Sequence, residues 1–336
     1  MRREQNTCHV NDPQVTSPAA QNVDFPGSIF TADFLLNKLI GSICALATPF
    51  DGDSLDLKAY AALLDYQIDA GTQALVVAGS TGEAHALDDD EYDRLLAFAV
   101  KHVGGRVPVL AGTGHANTRK TVAITRRARE LGADAALVVT PYYVRPTQDG
   151  LRRHFIEVAE QGGLPIVLYN VPSRTGCDLL PDTTAKLAPH ERIVGIKEAR
   201  GESERVDALV ALKSDTFTIL SGDDPTCMSA MLSGADGVVS VTGNAAPAAV
   251  RALCDAALAG DRAKAQAADD RLATLNSLLG VEPNPIPVKW ALQELGLGSA
   301  TPRLPLLPLS AAHRSRIAQA LRDLGLTVQP RHSDAA

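Results

Sequence analysis

The chain has 336 residues, 45% hydrophobic and 21% charged, with a formal net charge of −7. The acidic balance and the lack of any basic or aromatic–basic run speak against nucleic acid or an anionic membrane surface as partner, and no apolar stretch approaches the roughly 18 residues that span a bilayer. The five cysteines (Cys8, Cys44, Cys177, Cys227, Cys254) are odd in number, widely spaced and free of C-x-x-C, which fits thiols in a reducing cytoplasm; the histidines are scattered, so no metal site is expected.

Residues 1 to 38 open with "MRREQNTCHVNDPQVTSPAAQNVDFPGS", polar, Pro-containing and without period. They read as a disordered extension with no signal-peptide core. Over residues 39 to 260 the chain alternates regularly. Apolar, β-branched runs occur at "SICALATPF", "ALVVAG", "VPVLAGT", "AALVVTP", "PIVLYN", "IVGIKEA", "FTILSG" and "GVVSVTGN". Between them lie helical patterns such as "LKAYAALLDYQIDAG", "DDDEYDRLLAFAVKH" and "NTRKTVAITRRARELGAD". The second opens with acids, as a helix N-terminus prefers. Gly71, Gly132 and Gly234 follow helices as natural C′ residues.

Continuous apolar strands, each followed by a helix, imply a parallel sheet covered by helices. Eight such units predict an α/β fold, a (β/α)8 TIM barrel. The main alternative, an open doubly wound sheet, usually carries G-x-G-x-x-G after its first strand. Here that strand ends "ATPFDGDS", and "AGTGHANT" after the third lacks the third glycine. Residues 261–328 hold three more helical patterns, "AKAQAADDRLATLNSLLG", "PIPVKWALQELG" and "SAAHRSRIAQALRDLGL", read as a C-terminal helical appendage. Residues 329–336 read as a flexible tail.

In a barrel, reactive side chains project from the C-terminal ends of strands and the loops after them. Strand two ends in "GSTGE", with Ser80 and Thr81; strand four in "TPYYVRP", with Tyr142 and Tyr143; strand five in "YNVPSRTG", with Tyr169 and Arg174; strand six in Lys197; strand seven in "SGDD", with Gly222. Lys197 is the sharpest signal, a cation placed directly after a buried apolar run. Strand side chains alternate faces, so if Ile193 points inward then Lys197 does too, with Val194 and Ile196 facing the helices. A free lysine amine, with a pKa of about 10.4, is almost wholly charged at neutral pH. Desolvation at a barrel mouth disfavours the ammonium form and makes such an amine a nucleophile toward a ketone. The competing reading is a strand-end lysine that reaches solvent or pairs with Glu198. A Schiff-base reaction also needs proton transfer, for which Tyr169 on the neighbouring strand is suited. The "GSTGE" turn offers hydroxyls and backbone N–H groups to a carboxylate, and Arg174 offers a bidentate fork to a second one.

"GSTGE", "AGTG", "VTPYYVRPTQDGL", "LYNVPSRTGCDL", "GIKEA", "LSGDD", "GVVSVTGN" and "VEPNPIPVKWALQELGL" occur in this order from about Gly41 to Leu326. Together they resemble the 4-hydroxy-tetrahydrodipicolinate (dihydrodipicolinate) synthase family, of the pyruvate-dependent class I aldolase/lyase superfamily. The resemblance implies that Lys197 forms a Schiff base with pyruvate and that Tyr169, Ser80 and Tyr143 make a proton relay, Tyr143 being inserted from the neighbouring subunit. It implies that Thr81 holds the pyruvate carboxylate, that Arg174 binds the carboxylate of L-aspartate 4-semialdehyde, and that Gly222 and Val239 line the pocket through their backbones. It further implies condensation of these two substrates in the committed step toward diaminopimelate and lysine, without metal or organic cofactor, in a homotetramer built as a dimer of dimers.

Two positions depart from the family pattern. The relay hydroxyl, usually threonine, is Ser80, without the methyl that restricts χ1. "GSTGE" is the commoner spelling in sialic acid lyases and sugar-acid aldolases, so a sister aldolase acting on a sugar acid or hydroxy-oxo acid is the alternative; Arg174 and Tyr143 argue against it. A non-catalytic or phosphate-binding barrel is a third reading. The positions matching the histidine and glutamate of lysine-inhibited members are Tyr92 and Lys120, which implies weak or absent feedback by lysine even though Tyr142 is retained.

Overall fold

The computed structural model describes residues 39–328; the extension and the tail expected at the two ends lie outside the described residues. Eight parallel strands close into a barrel: β1 (Gly41–Ala45), β2 (Ala74–Val77), β3 (Val109–Gly112), β4 (Ala135–Val139), β5 (Ile166–Asn170), β6 (Ile193–Glu198), β7 (Thr218–Ser221) and β8 (Gly237–Ser240). Each pairs with its neighbours in chain order, and β1 pairs with both β2 and β8. A two-residue hairpin, Phe50–Asp51 with Ser54–Leu55, follows β1.

Helices cover the outside: α1 (Leu57–Asp69), α2 (Asp89–Val103), α3 (Thr118–Glu130), α4 (Gln148–Gly162), α5 (Pro181–Leu187), α6 (Ser203–Val210), α7 (Cys227–Leu232) and α8 (Pro247–Leu258). Their starts are written in the sequence. Asp88 caps α2 in a capping box with Glu91, and Asp56, Asn117 and Thr147 cap α1, α3 and α4 through side-chain oxygens. Gly71, Gly132 and Gly234 sit just past helix ends with φ of +83°, +89° and +119°, the conformation that makes glycine the preferred C′ residue.

The strands are apolar on both faces because both are buried. Ile43, Ala74, Val76, Leu110, Leu137, Val167, Val194, Leu220 and Val239 fill the barrel interior. Leu75, Val77, Ala136, Leu168, Ile193, Ile196 and Ile219 pack outward against the helices. This corrects one expectation: Ile193 faces the helices and Val194 the interior. The cause is a bulge. Ile193 pairs with Ile166, but Gly195 pairs with Val167, so Val194 is an extra residue in β6 and the alternation slips by one. From Gly195 onward the parity favours Lys197 inside, and Lys197 is in register with Tyr169 on β5 and Leu220 on β7.

After α8 come α9 (Arg262–Leu279), α10 (Ile286–Glu294) and α11 (Ala311–Asp323). Helix α10 ties back to the turn after β2. Lys289, 1% exposed, places Nζ 2.6 Å from Oε1 of Glu83, which is fully buried; the other carboxylate oxygen accepts the main-chain N–H of Arg303 at 2.9 Å. Arg303 also grips Glu91 of α2, and both Lys289 and Arg303 lie 4.2 Å from the ring centre of Phe50. Removing one member of a buried pair strands the other charge in a dry site, at a cost of about 3–5 kcal/mol. Lys289→Met is therefore expected to lower the free energy of urea-induced unfolding by that amount, and a change below about 1 kcal/mol would refute the strap.

A second buried group predicts how stability varies with pH. His154 of α4 is buried, hydrogen-bonded through Nδ1 to Thr118 Oγ1 at 3.0 Å, and its Nε2 has no hydrogen-bond partner. Burial pushes its pKa down to about 4. The unfolded chain thus takes up this proton first as pH falls, so the contribution is complete above about 6.5 and is lost toward 4. Between pH 7 and 5 the wild type should lose about 2 kcal/mol more stability than His154→Gln, measured by urea denaturation at both values.

Candidate active site

The C-terminal rim of the barrel gathers polar side chains from the ends of β2, β5 and β6. Lys197 is only 3% exposed, and its Nζ lies 4.2 Å from the ring centroid of Tyr169. Adjacent strands, the register and the bulge together bring the two side chains to one place. Neither competing placement of Lys197 is realised: the side chain does not reach solvent, and Glu198 points the other way. The Glu198 carboxylate accepts from Asn170 Nδ2 at 3.0 and 3.1 Å, from Arg205 Nε at 2.8 Å and from the N–H of Arg200 at 2.9 Å. Among the described residues Lys197 is in no ion pair.

Behind the pair, outside the barrel, runs a continuous network. Asn170 follows Tyr169 and Glu198 follows Lys197, and these two outward-facing residues are hydrogen-bonded to each other. Asp178 accepts from Asn170 Nδ2 (2.8 Å), Arg200 Nη1 (2.9 Å) and Arg205 Nη2 (2.7 Å). Burial raises the pKa of the Glu198 carboxyl, and the Arg205 guanidinium opposes that rise. Arginines match such carboxylates with fixed, forked geometry. The network clamps the ends of β5 and β6, so the register that opposes Lys197 to Tyr169 is fixed from the rear.

Gly222, just after β7, lies against the lysine stem. A Cβ there would sit 2.9 Å from Lys197 Cε and 3.2 Å from the carbonyl oxygen of Glu198, so any side chain would displace the amine. Its N–H donates to that same carbonyl at 2.6 Å. Val239 of β8 is buried, with its side chain in the interior.

The turn after β2 carries Ser80, half-buried, and Thr81, buried. Ala78 and Glu83 bracket it with φ of +53° each. Among the described residues, the N–H groups of Ser80, Thr81 and Gly82 are given to no carbonyl or side chain. Consecutive unspent N–H groups in a turn make a concavity suited to an anion. Gly82 permits the tight packing, since a Cβ there would meet the Leu46 carbonyl oxygen at 3.0 Å.

Arg174 sits in the helical turn Pro172–Thr175 after β5 and is exposed. It joins Thr81 through a residue the sequence reading passed over. Asn284, before α10, donates from Nδ2 to Thr81 Oγ1 at 2.9 Å, and its main-chain oxygen accepts from Arg174 Nη2 at 3.4 Å. The run "NPIPVK" was the available signal, but nothing local in it points to a turn 203 positions away. Tyr143 stands apart from its own chain's site: it is 89% exposed, with φ of +73°, while its N–H is anchored on the carbonyl of Thr175 at 3.0 Å.

Comparison with known proteins extends this geometry. A model of the dihydrodipicolinate synthetase family matches residues 38–324. A 4-hydroxy-tetrahydrodipicolinate synthase of Xanthomonas axonopodis pv. citri is 63% identical over 278 residues, 82% of this chain and 92% of the relative. Among solved structures, the chloride-inhibited dihydrodipicolinate synthase of Acinetobacter baumannii, complexed with pyruvate, is 44% identical with a TM-score of 0.84, covering 86% of this chain and 99% of that one. The enzyme of Cyanidioschyzon merolae, solved with lysine bound, is 33% identical with a TM-score of 0.83, covering 86% and 99%. With the barrel, the strand-end lysine and tyrosine, and a family match across nearly all the described residues, this chain belongs to the dihydrodipicolinate synthetase family.

Proposed function

We propose that this protein is a lyase that condenses pyruvate with L-aspartate 4-semialdehyde to give 4-hydroxy-tetrahydrodipicolinate, the first committed step of diaminopimelate and lysine biosynthesis. The observation that carries the reading is the Lys197 amine, buried at the barrel mouth against the Tyr169 ring. The neutral amine attacks the keto carbon of pyruvate, and loss of water gives the iminium. Deprotonation of its methyl group gives an enamine that attacks the aldehyde carbon, restoring the iminium; the amine of the second substrate then adds to the iminium carbon, closing the ring and breaking the bond to Lys197, whose amine is released. Lys197 itself supplies the covalent chemistry, so no metal or organic cofactor enters a step.

Tyr169, whose ring lies under the Lys197 amine, would move protons at the nitrogen. Ser80 and Tyr143 would extend the relay. The Ser80 hydroxyl suffices for proton transfer without threonine's methyl. Tyr143 has an anchored backbone and a side chain projecting outward, as expected of a residue that enters the site of a second copy. The assembly is accordingly read as a homotetramer, a dimer of dimers in which Tyr143 is shared across the tight dimer. Thr81 and the N–H groups of its turn would hold the pyruvate carboxylate, and Arg174 that of the semialdehyde. Gly222 leaves room beside the lysine stem, and Val239 closes the interior wall. Four buried free thiols, Cys44, Cys177, Cys227 and Cys254, accord with a cytoplasmic site of action.

The positions Tyr92 and Lys120 support weak or absent feedback. The Tyr92 hydroxyl is engaged with the Gly112 carbonyl at 3.2 Å, and Lys120 is exposed at the start of α3. Burial and the charge of Lys120 hold the His115 imidazole below its usual pKa, and the His115 ring contacts Tyr142. A lysine ligand would meet a cation there instead of a carboxylate.

Borohydride reduction in the presence of pyruvate should add one reduced pyruvyl group to Lys197, read by peptide mass spectrometry; an unmodified Lys197 removes every Schiff-base reading. In a coupled assay, Arg174→Ala should lose at least about a hundredfold in kcat/KM for aspartate semialdehyde, the scale of a lost bidentate, charge-assisted contact. Retained activity there, with turnover of sugar acids, would favour the sister aldolase. L-Lysine at 1 mM or below, in the range of about micromolar-to-millimolar ligand affinities, should leave the rate unchanged; half-inhibition in that range contradicts the reading of Tyr92 and Lys120.

A further inference from the structure

Thr81 has one hydroxyl with one proton to give and lone pairs to offer. Asn284 Nδ2 donates to that oxygen at 2.9 Å. Among the described residues the hydroxyl itself donates to nothing, and the three N–H groups around it are unspent as well. An oxygen already receiving an N–H turns its own proton away from that donor. The hydroxyl is thereby left as a donor facing whatever anion the turn receives.

The amide is held in this pose from several sides. The main-chain oxygen of Asn284 accepts from Arg174, and Lys289, five residues on, is locked to Glu83, two residues beyond Thr81. The other amide atom, Oδ1, is buried without a hydrogen-bond partner. A buried orphan oxygen costs about 1–3 kcal/mol, so packing alone does not favour this residue type. An apolar side chain of similar size would avoid the cost but would give Thr81 no donor.

We propose that Asn284 is a positioning residue that fixes the Thr81 hydroxyl as a hydrogen-bond donor to the carboxylate of the keto-acid substrate. The inference rests on the function proposed above. It concerns only how the first substrate's carboxylate is recognised, through an amide supplied by the C-terminal region rather than by the barrel.

The test measures the pyruvate concentration needed for half-maximal borohydride trapping at Lys197 in the full-length protein, together with KM for pyruvate and for aspartate semialdehyde. Asn284→Ala removes the donor and should raise the pyruvate values by about tenfold, the scale of one hydrogen bond, with KM for the semialdehyde changed less than twofold. Asn284→Asp presents an acceptor that draws the Thr81 proton toward itself and sets a negative charge beside the incoming carboxylate. It should raise the pyruvate values by about a hundredfold at pH 8, with the loss shrinking toward that of the alanine variant as the pH is lowered. In a Thr81→Val background, Asn284→Ala should add less than twofold, because its route of action is already gone. Circular dichroism and thermal melts establish that each variant is folded.

Three results overturn the proposal while leaving the proposed function standing. The first is Asn284→Asp behaving like wild type, which would mean that the amide carbonyl faces Thr81. The second is full additivity of Asn284→Ala with Thr81→Val. The third is equal loss for both substrates, the signature of a general loosening. If the wild-type protein traps no pyruvate at all, the proposed function fails and this inference with it.

Discussion

The structure turns on one contact, the amine of Lys197 held against the face of Tyr169 at the mouth of the barrel. Two strands in register create it, but register alone is not enough. The bulge in β6 shifts the inside–outside alternation midway along the strand, so Val194 and Lys197 both serve the interior although three positions separate them. A regular strand would send one of them to the helices. The bulge does what bulges near active sites commonly do, re-aiming one side chain within a rigid sheet.

What holds that contact lies on the far side of the sheet. Asn170 and Glu198 are the outward-facing neighbours of Tyr169 and Lys197. Their mutual hydrogen bonds, extended by Asp178, Arg200 and Arg205, pin both strand ends at once. A strand that slid or twisted would break charge-assisted bonds in a largely buried setting, where an unmatched carboxylate is costly. The inner face of the rim can therefore remain sparsely hydrogen-bonded, with an amine outside any ion pair and unspent N–H groups among the described residues, because rigidity is supplied from behind. The close approach of Gly222 on β7 completes the enclosure of the lysine stem.

The fold was legible because its signals are local and repeated. Eight apolar runs, caps at Asp56, Asp88, Asn117 and Thr147, and glycines past helix ends each specify an element within a few residues. The site was legible to the extent that the barrel rule places strand-end residues together: Lys197 and Tyr169 fall out of topology. Parity within β6 was not legible, since "IVGIK" contains no mark of which residue is the extra one; the bulge is settled by pairing with β5. Asn284 was not legible either. Its partners Thr81 and Arg174 are reached only through the docking of α10 against the barrel, a tertiary fact with no periodicity behind it.

Two lysines make the limit of sequence reasoning concrete. Lys197 and Lys289 are almost equally buried, at 3% and 1% exposure, and each lies 4.2 Å from an aromatic ring centre, Tyr169 for one and Phe50 for the other. By residue type, burial and aromatic contact they are the same object. What separates them is Glu83, which gives Lys289 a counter-ion at 2.6 Å and makes it a structural strut. Lys197 has a carboxylate next to it in sequence, yet the strand's pleat turns Glu198 toward Asn170 and Arg205. Burial pushes the Lys289 pKa down and the Glu83 carboxylate opposes that shift, so its nitrogen is occupied by a counter-ion. Lys197 has no such partner among the described residues, which is the arrangement the proposed Schiff-base chemistry requires. The strut also bears on the candidate site: the Lys289–Glu83 pair ties the turn that carries Ser80 and Thr81 to the helix that follows Asn284.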